Sequence, residues 1–283
     1  MRRLFHITLL LSFIGSVVGC QTTHLTVASY NVRYDAGADA LQGDSWAERK
    51  EAVAEVILRH DFDIVGTQEA NANQLPELQA LLADYDCITH PYGGNNGTGH
   101  NCATFFKREK FDLLDQGTFW YSPTPEVQSI GWDATDYRLC HWGKLREKQS
   151  GKEFYFFNSH LYWRLHEARS KSGGVHTQMI KKIAGDAPVI SVGDFNSTED
   201  TPQVQDILTL LKDARRECGE MAEGKENTNL GGGNFQGEAY DRIDFIFVSK
   251  DVEVESFRTI EDKRENGHYP SDHLPIVSRI ELK

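Results

Sequence analysis

The sequence carries few basic residues for its length. Its 283 residues include 30 Lys and Arg against 42 Asp and Glu, which gives a formal net charge of −12 at pH 7. Binding to duplex DNA depends largely on Lys and Arg side chains that neutralise phosphates, and a strongly acidic chain opposes it. The composition therefore argues against a general DNA-binding protein, although a local basic patch is compatible with it.

The motifs of several common chemistries are also absent. No two cysteines have the C-x-x-C spacing of a zinc site, and the chain contains neither a P-loop nor a nucleophile elbow. No internal repeat and no low-complexity linker divides the sequence. These absences count against a zinc-binding module and against a covalent serine hydrolase. They favour a single large α/β domain.

Long apolar runs are scarce, and the one that stands out lies at the N-terminus. A short basic start precedes the run LFHITLLLSFIGSVVG, which is short for a membrane-spanning helix and ends at Cys20. Because VVGC resembles a bacterial lipobox, we expect a signal peptide over residues 1–19, a lipidated Cys20 and a tether over residues 20–24. An ordinary signal peptide or a buried first strand is the alternative. The prediction is a periplasmic or cell-surface lipoprotein, attached to a membrane through its lipid anchor.

Four further cysteines follow, at Cys87, Cys102, Cys140 and Cys218. An exported protein can form disulfides, and Cys87 and Cys102 flank the turn GGNNGTG, so they could face each other across a hairpin. The alternative, which we favour, is that all four are reduced and buried as small apolar side chains.

Hydrophobic periodicity predicts an alternation of strands and helices. Alternating or β-branched segments predict strands at LTVASYNV, FDIVGTQE, KFDLLDQGTFW, LCHWGKLRE, EFYFFNSHLYW, PVISVGDFN, DRIDFIFVSK, VEVESFRTI and HLPIVSRIEL, and a hairpin of YDCITHPY with CATFFK. Helices are predicted over residues 46–60, 75–82, 166–184 and 202–214. This mixture indicates two mainly antiparallel sheets packed face to face with helices outside, in one catalytic domain over residues 25–283.

Polar side chains mark the margins of five predicted strands. They are Asn31 after VASY, Glu69 after DIVGTQ, His160 after FYFFNS, Asp194 and Asn196 after VISVG, and Asp272 and His273 before the last strand. Loops are polar, so each residue alone has an ordinary explanation. Together, the carboxylates and amides suit a hard divalent cation such as Mg²⁺, and two histidines supply acid–base chemistry near neutral pH. The set predicts metal-assisted attack by water rather than a covalent intermediate.

Six segments then identify a family. SYNVRYD, GTQE, NSHL, GDFN, RIDFIF and SDHLP occur in this order between Ser29 and Pro275, and they resemble the motif set of the endonuclease/exonuclease/phosphatase superfamily, the fold of DNase I. The segment GTFW…GWD…R…C, from Gly117 to Cys140, is similar to its exported bacterial branch. The resemblance implies a four-layer α/β sandwich that hydrolyses a phosphate ester with Mg²⁺ or Mn²⁺.

The resemblance also implies roles for individual residues. Glu69 is expected as the principal metal ligand, with Asn31 and Asp272 nearby. Asp194 and Asn196 are expected to orient the attacking water and the phosphate. His160 is expected to donate to the phosphate or to the leaving oxygen, and His273 to act as base or transition-state stabiliser. Asp244 is expected to hold His273, with Asp241 as the alternative partner. Arg33 and Arg138 are candidate phosphate contacts, or else surface salt-bridge partners.

The chain departs from the family pattern around the first histidine. Many relatives have an acidic residue in the pattern H-x-D, where this chain has His160, Leu161 and Tyr162. Relatives in the bacterial branch tend to have a Glu after the hairpin turn, placed to orient that histidine, where this chain offers His100 and Asn101. This side of the site is therefore expected to differ in substrate or in rate. Trp163 either forms a substrate-facing wall or packs at the start of a helix.

Three functions fit the sequence. The favoured one is an exported, monomeric, metal-dependent phosphoesterase acting on a small or lipid-derived phosphate mono- or diester, because the acidic charge disfavours nucleic acid. The second is an exported nuclease with the same chemistry. The third is a binding protein on a decayed enzyme scaffold, which the altered surroundings of His160 suggest and the remaining site residues oppose.

Overall fold

The structure is a computed structural model that describes residues 22–93 and 99–283. The predicted signal peptide and Cys20 lie outside the described residues. Among these residues, twelve strands form two sheets of six. The first sheet contains β1 (Thr23–Asn31), β2 (Ile64–Asn71), β3 (Tyr85–Tyr92), β4 (His100–Lys107), β11 (Val252–Thr259) and β12 (Ile276–Leu282) in the spatial order β11-β12-β1-β2-β4-β3. Its neighbours are antiparallel except for the parallel pair β1–β2.

The second sheet has the same design. It contains β5 (Phe111–Trp120), β6 (Leu139–Glu147), β7 (Glu153–His160), β8 (Val189–Asp194), β9 (Lys212–Asp213) and β10 (Asp244–Val248) in the order β5-β6-β7-β8-β10-β9. Here only β7–β8 is parallel. Each sheet therefore brings the carboxyl ends of two neighbouring strands to one edge, where side chains from both can meet.

Two layers of helices cover the outer faces of the sheets. Helices α1 (Trp46–Arg59) and α2 (Gln74–Leu81) pack on the first sheet, while α3 (His166–Ala184) and α4 (Pro202–Leu208) pack on the second. The short α5 (Ala214–Cys218) contributes to the core between the sheets. The predicted four-layer sandwich is confirmed. Within the described part of the chain, no helix is long and apolar enough to span a membrane.

The two sheets approach closely near the middle of β2. A Cβ atom on Gly66 would lie 2.6 Å from a methyl carbon of Val192 and 2.8 Å from the side chain of Asn158, so only glycine fits there. Beside it, Gln68 Nε2 donates to Asn158 Oδ1 at 2.8 Å, and Asn158 Nδ2 donates to the carbonyl of Thr67 at 3.0 Å. This fully buried polar pair links the two sheets and fixes their relative position.

Two predicted boundaries are wrong. The helix predicted over residues 202–214 ends at Leu208, because Lys212 and Asp213 pair with the edge strand β10 instead of continuing the helix. The predicted tether is also too long, since Thr23 already belongs to β1, opposite Leu282 of β12. In both places pairing with a distant strand outweighs the local pattern.

The cysteines are reduced, as the sequence favoured. Cys87, Cys102, Cys140 and Cys218 are all free thiols, and three of them are buried. Cys87 lies opposite Phe105 in the β3–β4 hairpin, whereas Cys102 lies opposite His90. The hairpin register therefore places these two cysteines three positions apart rather than face to face.

A buried histidine in α3 makes folding stability depend on pH. His176 is fully buried, with Tyr121 Oη 2.8 Å from its Nδ1 and Ser191 Oγ 2.9 Å from its Nε2. Burial lowers the pKa of His176 to about 3, below the value of about 6.5 for an unfolded chain. The unfolded state therefore binds more protons between these values, so the stability contributed by neutral His176 is lost as pH falls through this window.

We predict that His176→Gln flattens this dependence. The free energy of unfolding of the wild-type protein should fall more steeply below pH 6.5 than that of the variant, by up to about 1.4 kcal/mol per pH unit. Urea unfolding at a series of pH values measures both slopes. His166→Gln, an exposed position at the start of the same helix, is the control and should keep the wild-type slope. Equal slopes for wild type and His176→Gln would contradict the prediction.

Candidate active site

The predicted site residues meet at one end of the two sheets. Asn31 is the last residue of β1, His160 the last of β7 and Asp194 the last of β8. They line one cavity of about 420 Å³ or contact its walls, together with the other predicted residues Glu69, Arg33, Arg138, Asn196, Asp272 and His273. The structure thus brings together residues separated by more than two hundred positions in the sequence, and their individual roles stay predictions.

A β-bulge aims Glu69 into the cavity. The pairing of β2 with β4 shifts between Thr67 and Ala70, and Glu69 adopts a φ of 72°, which is unusual for a residue with a side chain. Asn31 Nδ2 donates to Glu69 Oε1 at 3.2 Å, and the Tyr34 backbone N–H donates to Oε2 at 3.3 Å. These contacts hold the carboxylate in place and maintain the strained backbone around it.

The turn after β8 fixes Asp194 and Asn196 in a similar way. A Cβ on Gly193 would lie 2.3 Å from the carbonyl oxygen of Ser159, so this position requires glycine. Asn196, at a φ of 48°, donates its backbone N–H to Asp194 Oδ1 at 2.9 Å and its amide to the carbonyl of Leu161 at 3.0 Å. Asp194 Oδ2 also accepts from Asn31 Nδ2 at 2.9 Å. Both side chains therefore have a single defined orientation.

His273 is paired with Asp244. Its Nδ1 lies 2.9 Å from Asp244 Oδ2, which also accepts from Thr228 Oγ1 at 2.6 Å, and its Nε2 lies 3.8 Å from Asp194 Oδ2. Burial lowers the pKa of His273, but Asp244 and Asp194 outweigh this effect and hold it well above its ordinary value. Asp241, the alternative partner, lines a separate surface cleft with Glu199. Of the two predicted partners, Asp244 makes the contact.

His160 has a different environment. Its Nδ1 lies 2.5 Å from Tyr92 Oη, while its Nε2 faces Asp194 Oδ2 at 3.4 Å and Glu69 Oε1 at 4.0 Å. Burial, reinforced by the positive charge of Arg138, lowers the pKa of His160 well below its ordinary value. The two histidines of the site therefore differ in charge, with His160 neutral where His273 is protonated.

The carboxylates of the site fit a divalent cation. Burial raises the pKa of Asp194 to about 7, with Asp244 adding to the rise, and burial together with Glu69 raises the pKa of Asp272. Glu69, in contrast, has a pKa well below its ordinary range, because His160 and His100 outweigh the effect of burial. Buried oxygen donors with excess negative charge suit a hard cation. Ligand atoms of Glu69, His160 and Asp194 lie within 4.8 Å of one another.

The two predicted phosphate-contacting arginines are not equivalent. Arg33 Nε lies 3.1 Å from Asp39 Oδ2, and its Nη1 lies 3.6 Å from Asp272 Oδ2, so its charge is compensated. Arg138 is 6% exposed and has one ion pair, with Asp136 at 3.3 Å. Its Nε and Nη1 have no partner among the described residues. Arg138 is therefore the better placed of the two to bind an anionic ligand.

Sequence reasoning missed part of the cavity wall. Tyr34, Asn229 and Tyr240 line the cavity, and Tyr92 contacts His160 from behind it. Trp163 also lines the cavity and is half exposed, so it faces the site rather than only packing at the start of α3. Tyr92 lies in the predicted hairpin, but its position opposite His100 depends on the hairpin register that the structure shows. Tyr34 lies inside the motif SYNVRYD, which marked its neighbours Asn31 and Arg33, whereas Asn229 and Tyr240 lie outside the helices and strands and in no motif.

Comparison with known proteins supports the family resemblance that the sequence motifs indicate. The family model described as "Endonuclease/Exonuclease/phosphatase family" matches residues 28–273. The solved structure of a family member from Bacteroides thetaiotaomicron superposes with a TM-score of 0.84 at 35% identity, covering 93% of this chain and 99% of that one. A mannosyl-6-phosphatase from the same organism superposes with a TM-score of 0.83 at 34% identity, covering 90% and 99% of the two chains.

Curated relatives include eukaryotic enzymes. Nocturnin from Drosophila melanogaster is 25% identical over 84% of this chain and 42% of its own length. The CCR4-Not complex 3'-5'-exoribonuclease subunit from Neosartorya fischeri is 31% identical over 50% of this chain and 22% of its own length. The chain thus spans less than half the length of these curated relatives. The family match covers most of the chain, including every predicted active-site residue from Asn31 to His273, so the chain belongs to the endonuclease/exonuclease/phosphatase family, whose members hydrolyse phosphate ester bonds.

Proposed function

We propose that the protein is a Mg²⁺-dependent phosphatase that hydrolyses a small polar phosphate monoester, with phosphorylated sugars as the substrate class. The observation that carries this proposal is the cavity itself. Its floor holds the carboxylate and histidine set, and its described lining contains two arginines and no lysine. A nucleic-acid track needs a series of basic contacts, whereas a small ligand needs a concave site with few polar groups.

The walls of the cavity support a sugar-sized leaving group. Asn229 and Tyr240 offer hydrogen-bonding groups, and the half-exposed ring of Trp163 offers an apolar face at the rim. Similarity to the mannosyl-6-phosphatase at 34% identity over nearly its whole length favours the same class. The proposed setting is an exported, monomeric lipoprotein, supported by the apolar run that ends at Cys20.

The geometry suggests how the chain's own groups act. A divalent cation held by Glu69, with Asp272 nearby, would supply Lewis acidity at a phosphoryl oxygen. Asn31, expected as a further ligand, directs its Nδ2 toward Glu69 and Asp194 and its Oδ1 toward the Arg33 backbone N–H, so it orients the carboxylates instead. Arg138 offers its unpartnered guanidinium nitrogens to the phosphate. Asp194 and Asn196 orient the attacking water, and His273, with Asp244 on its far side, stabilises charge that develops beside Asp194. His160 presents Nε2 to the phosphate or to the leaving oxygen.

A substrate panel tests the proposed function. With Mg²⁺, the purified protein should release orthophosphate from hexose 6-phosphates with a kcat/KM at least about tenfold above that for a phosphodiester or single-stranded RNA. His273→Ala should lower kcat by roughly 10²–10⁴-fold while the circular dichroism spectrum is unchanged. Preferred cleavage of RNA with a steep salt dependence would instead support a nuclease. Failure to hydrolyse any phosphate ester would support the decayed scaffold.

Glu69 provides a test of the metal site that does not need activity. At Mg²⁺ concentrations near 100 times Kd, the free energy of unfolding of the wild-type protein should rise by about 2.7 kcal/mol. Glu69→Gln should lose most of this gain, because it removes a charged ligand. Glu55→Gln, on the exposed face of α1, should keep it. Urea unfolding with and without Mg²⁺ measures the difference, and an unchanged gain in Glu69→Gln would exclude this residue as a ligand.

The pairing of His273 provides a second matched comparison. Asp244→Asn replaces the acceptor at His273 Nδ1 and should lower kcat by about a hundredfold or more, because the imidazole loses its orientation and its stabilising charge. Asp241→Asn changes a carboxylate three residues earlier that lines another cleft, and its kcat should match that of the wild type. Steady-state kinetics on the best monoester measures kcat for both variants. A larger loss of kcat in Asp241→Asn than in Asp244→Asn would assign Asp241 as the partner of His273.

A further inference from the structure

Tyr92 lies where a carboxylate would be expected beside the first histidine. It is the last residue of β3 and lies directly opposite His100 in the β3–β4 hairpin. Its phenol oxygen is 2.5 Å from His160 Nδ1, and the two rings meet edge to face with centroids 5.6 Å apart. Tyr92 is also 4% exposed, so water does not compete freely for this contact.

The residues that stand in place of the family's glutamate do not hold His160. The ring of His100 stacks on Tyr34 with centroids 5.0 Å apart, and neither of its nitrogens has a hydrogen-bond partner within the described part of the chain. Asn101 donates its amide to the carbonyl of Ala70 at 2.9 Å. Among the described residues, the phenol of Tyr92 is therefore the group that meets His160 Nδ1.

A phenol and a carboxylate impose different protonation patterns on a histidine. An ionised carboxylate only accepts, so its histidine partner must carry a proton on the facing nitrogen, as His273 does toward Asp244. A phenol can donate, and the facing nitrogen then carries a lone pair. Burial raises the pKa of Tyr92 well above its ordinary value, so the phenol keeps its proton.

We propose that Tyr92 is a positioning residue that fixes the ring of His160, with the phenol donating to Nδ1 and the imidazole proton on Nε2. In this orientation the Nε2–H points between Asp194 Oδ2 at 3.4 Å and Glu69 Oε1 at 4.0 Å, toward the cavity. The effect on turnover rests on the proposed phosphatase function, whereas the tautomer does not.

The tautomer can be measured directly in the wild-type protein. NMR of protein labelled with ¹⁵N-histidine distinguishes a protonated from an unprotonated ring nitrogen, and comparison with His160→Gln assigns the signals. The proposal requires a protonated Nε2 and an unprotonated Nδ1 in His160. Tyr92→Phe should convert this signal into a mixture of tautomers. A proton on Nδ1 in the wild-type protein would overturn the proposal, whatever the protein's activity.

Kinetics test the consequence for catalysis. Tyr92→Phe should lower kcat for the best phosphate monoester by about tenfold with KM within about twofold, as expected for the loss of one hydrogen bond that orients a catalytic group. Tyr85→Phe is the matched control, because Tyr85 lies at the other end of β3 and donates its phenol to the carbonyl of Phe62 at 2.5 Å. It should leave kcat unchanged.

A double variant separates positioning from any other role. In a His160→Gln background, Tyr92→Phe should cause no further loss of kcat, because Tyr92 acts through His160. A further tenfold loss in that background, or a wild-type kcat in Tyr92→Phe, would overturn the positioning role. If the protein hydrolyses no phosphate ester, the proposed function fails, and the NMR measurement alone decides whether Tyr92 sets the tautomer.

Discussion

The burial of three carboxylates, with a fourth partly buried beside them, at one end of two packed sheets is the constraint on which the rest of the site depends. Glu69 lies within the cavity wall, and Asp194, Asp244 and Asp272 are each at most 3% exposed. Buried charges without partners are strongly unfavourable. The chain compensates them with backbone N–H donors, with Arg33 beside Asp272, and with the proton that His273 keeps between Asp244 and Asp194. A divalent cation would offset the negative charge that remains. The carboxylates that the fold must compensate are therefore the same groups that would bind the cation.

The strand register fixes the relative positions of the buried site residues. His160, Asp194 and Asp244 are paired across β7, β8 and β10, so three side chains from distant parts of the sequence stand side by side at fixed spacing. The partner sheet supplies Asn31 and Glu69, and the buried contact between Gln68 and Asn158 holds the two sheets at the separation that the site needs. Glu69 and Asn196 adopt left-handed backbone conformations, and this local strain orients their side chains toward the site.

Most of this arrangement could be predicted from strand patterns and motifs, because polar residues at the ends of apolar strands are a local signal. The failures have a common physical cause. The sequence pattern predicts a helix over residues 209–214, yet Lys212 and Asp213 pair with the edge of β10. The sequence favoured Asp244 as the partner of His273 but left Asp241 as an alternative, since only the pairing of β10 with β8 decides which one points inward. The sequence did not indicate Tyr92, because its contact with His160 depends on the hairpin register and on the packing of one sheet against the other. Each failure concerns a contact between distant residues, which local pattern does not encode.

The charges around the cavity also bear on the choice between a monoester and a diester. A phosphate monoester near neutral pH carries more negative charge than a diester, because its second ionisation has a pKa near 6. The compensated Arg33 offers little net charge, and the neutral His160 offers a hydrogen bond without a charge. Arg138, with two nitrogens unpartnered among the described residues, offers positive charge at the cavity. A dianion therefore gains more than a monoanion from the cation and from the two unpartnered nitrogens of Arg138. The electrostatic balance of the site therefore favours the proposed phosphatase over the alternative nuclease.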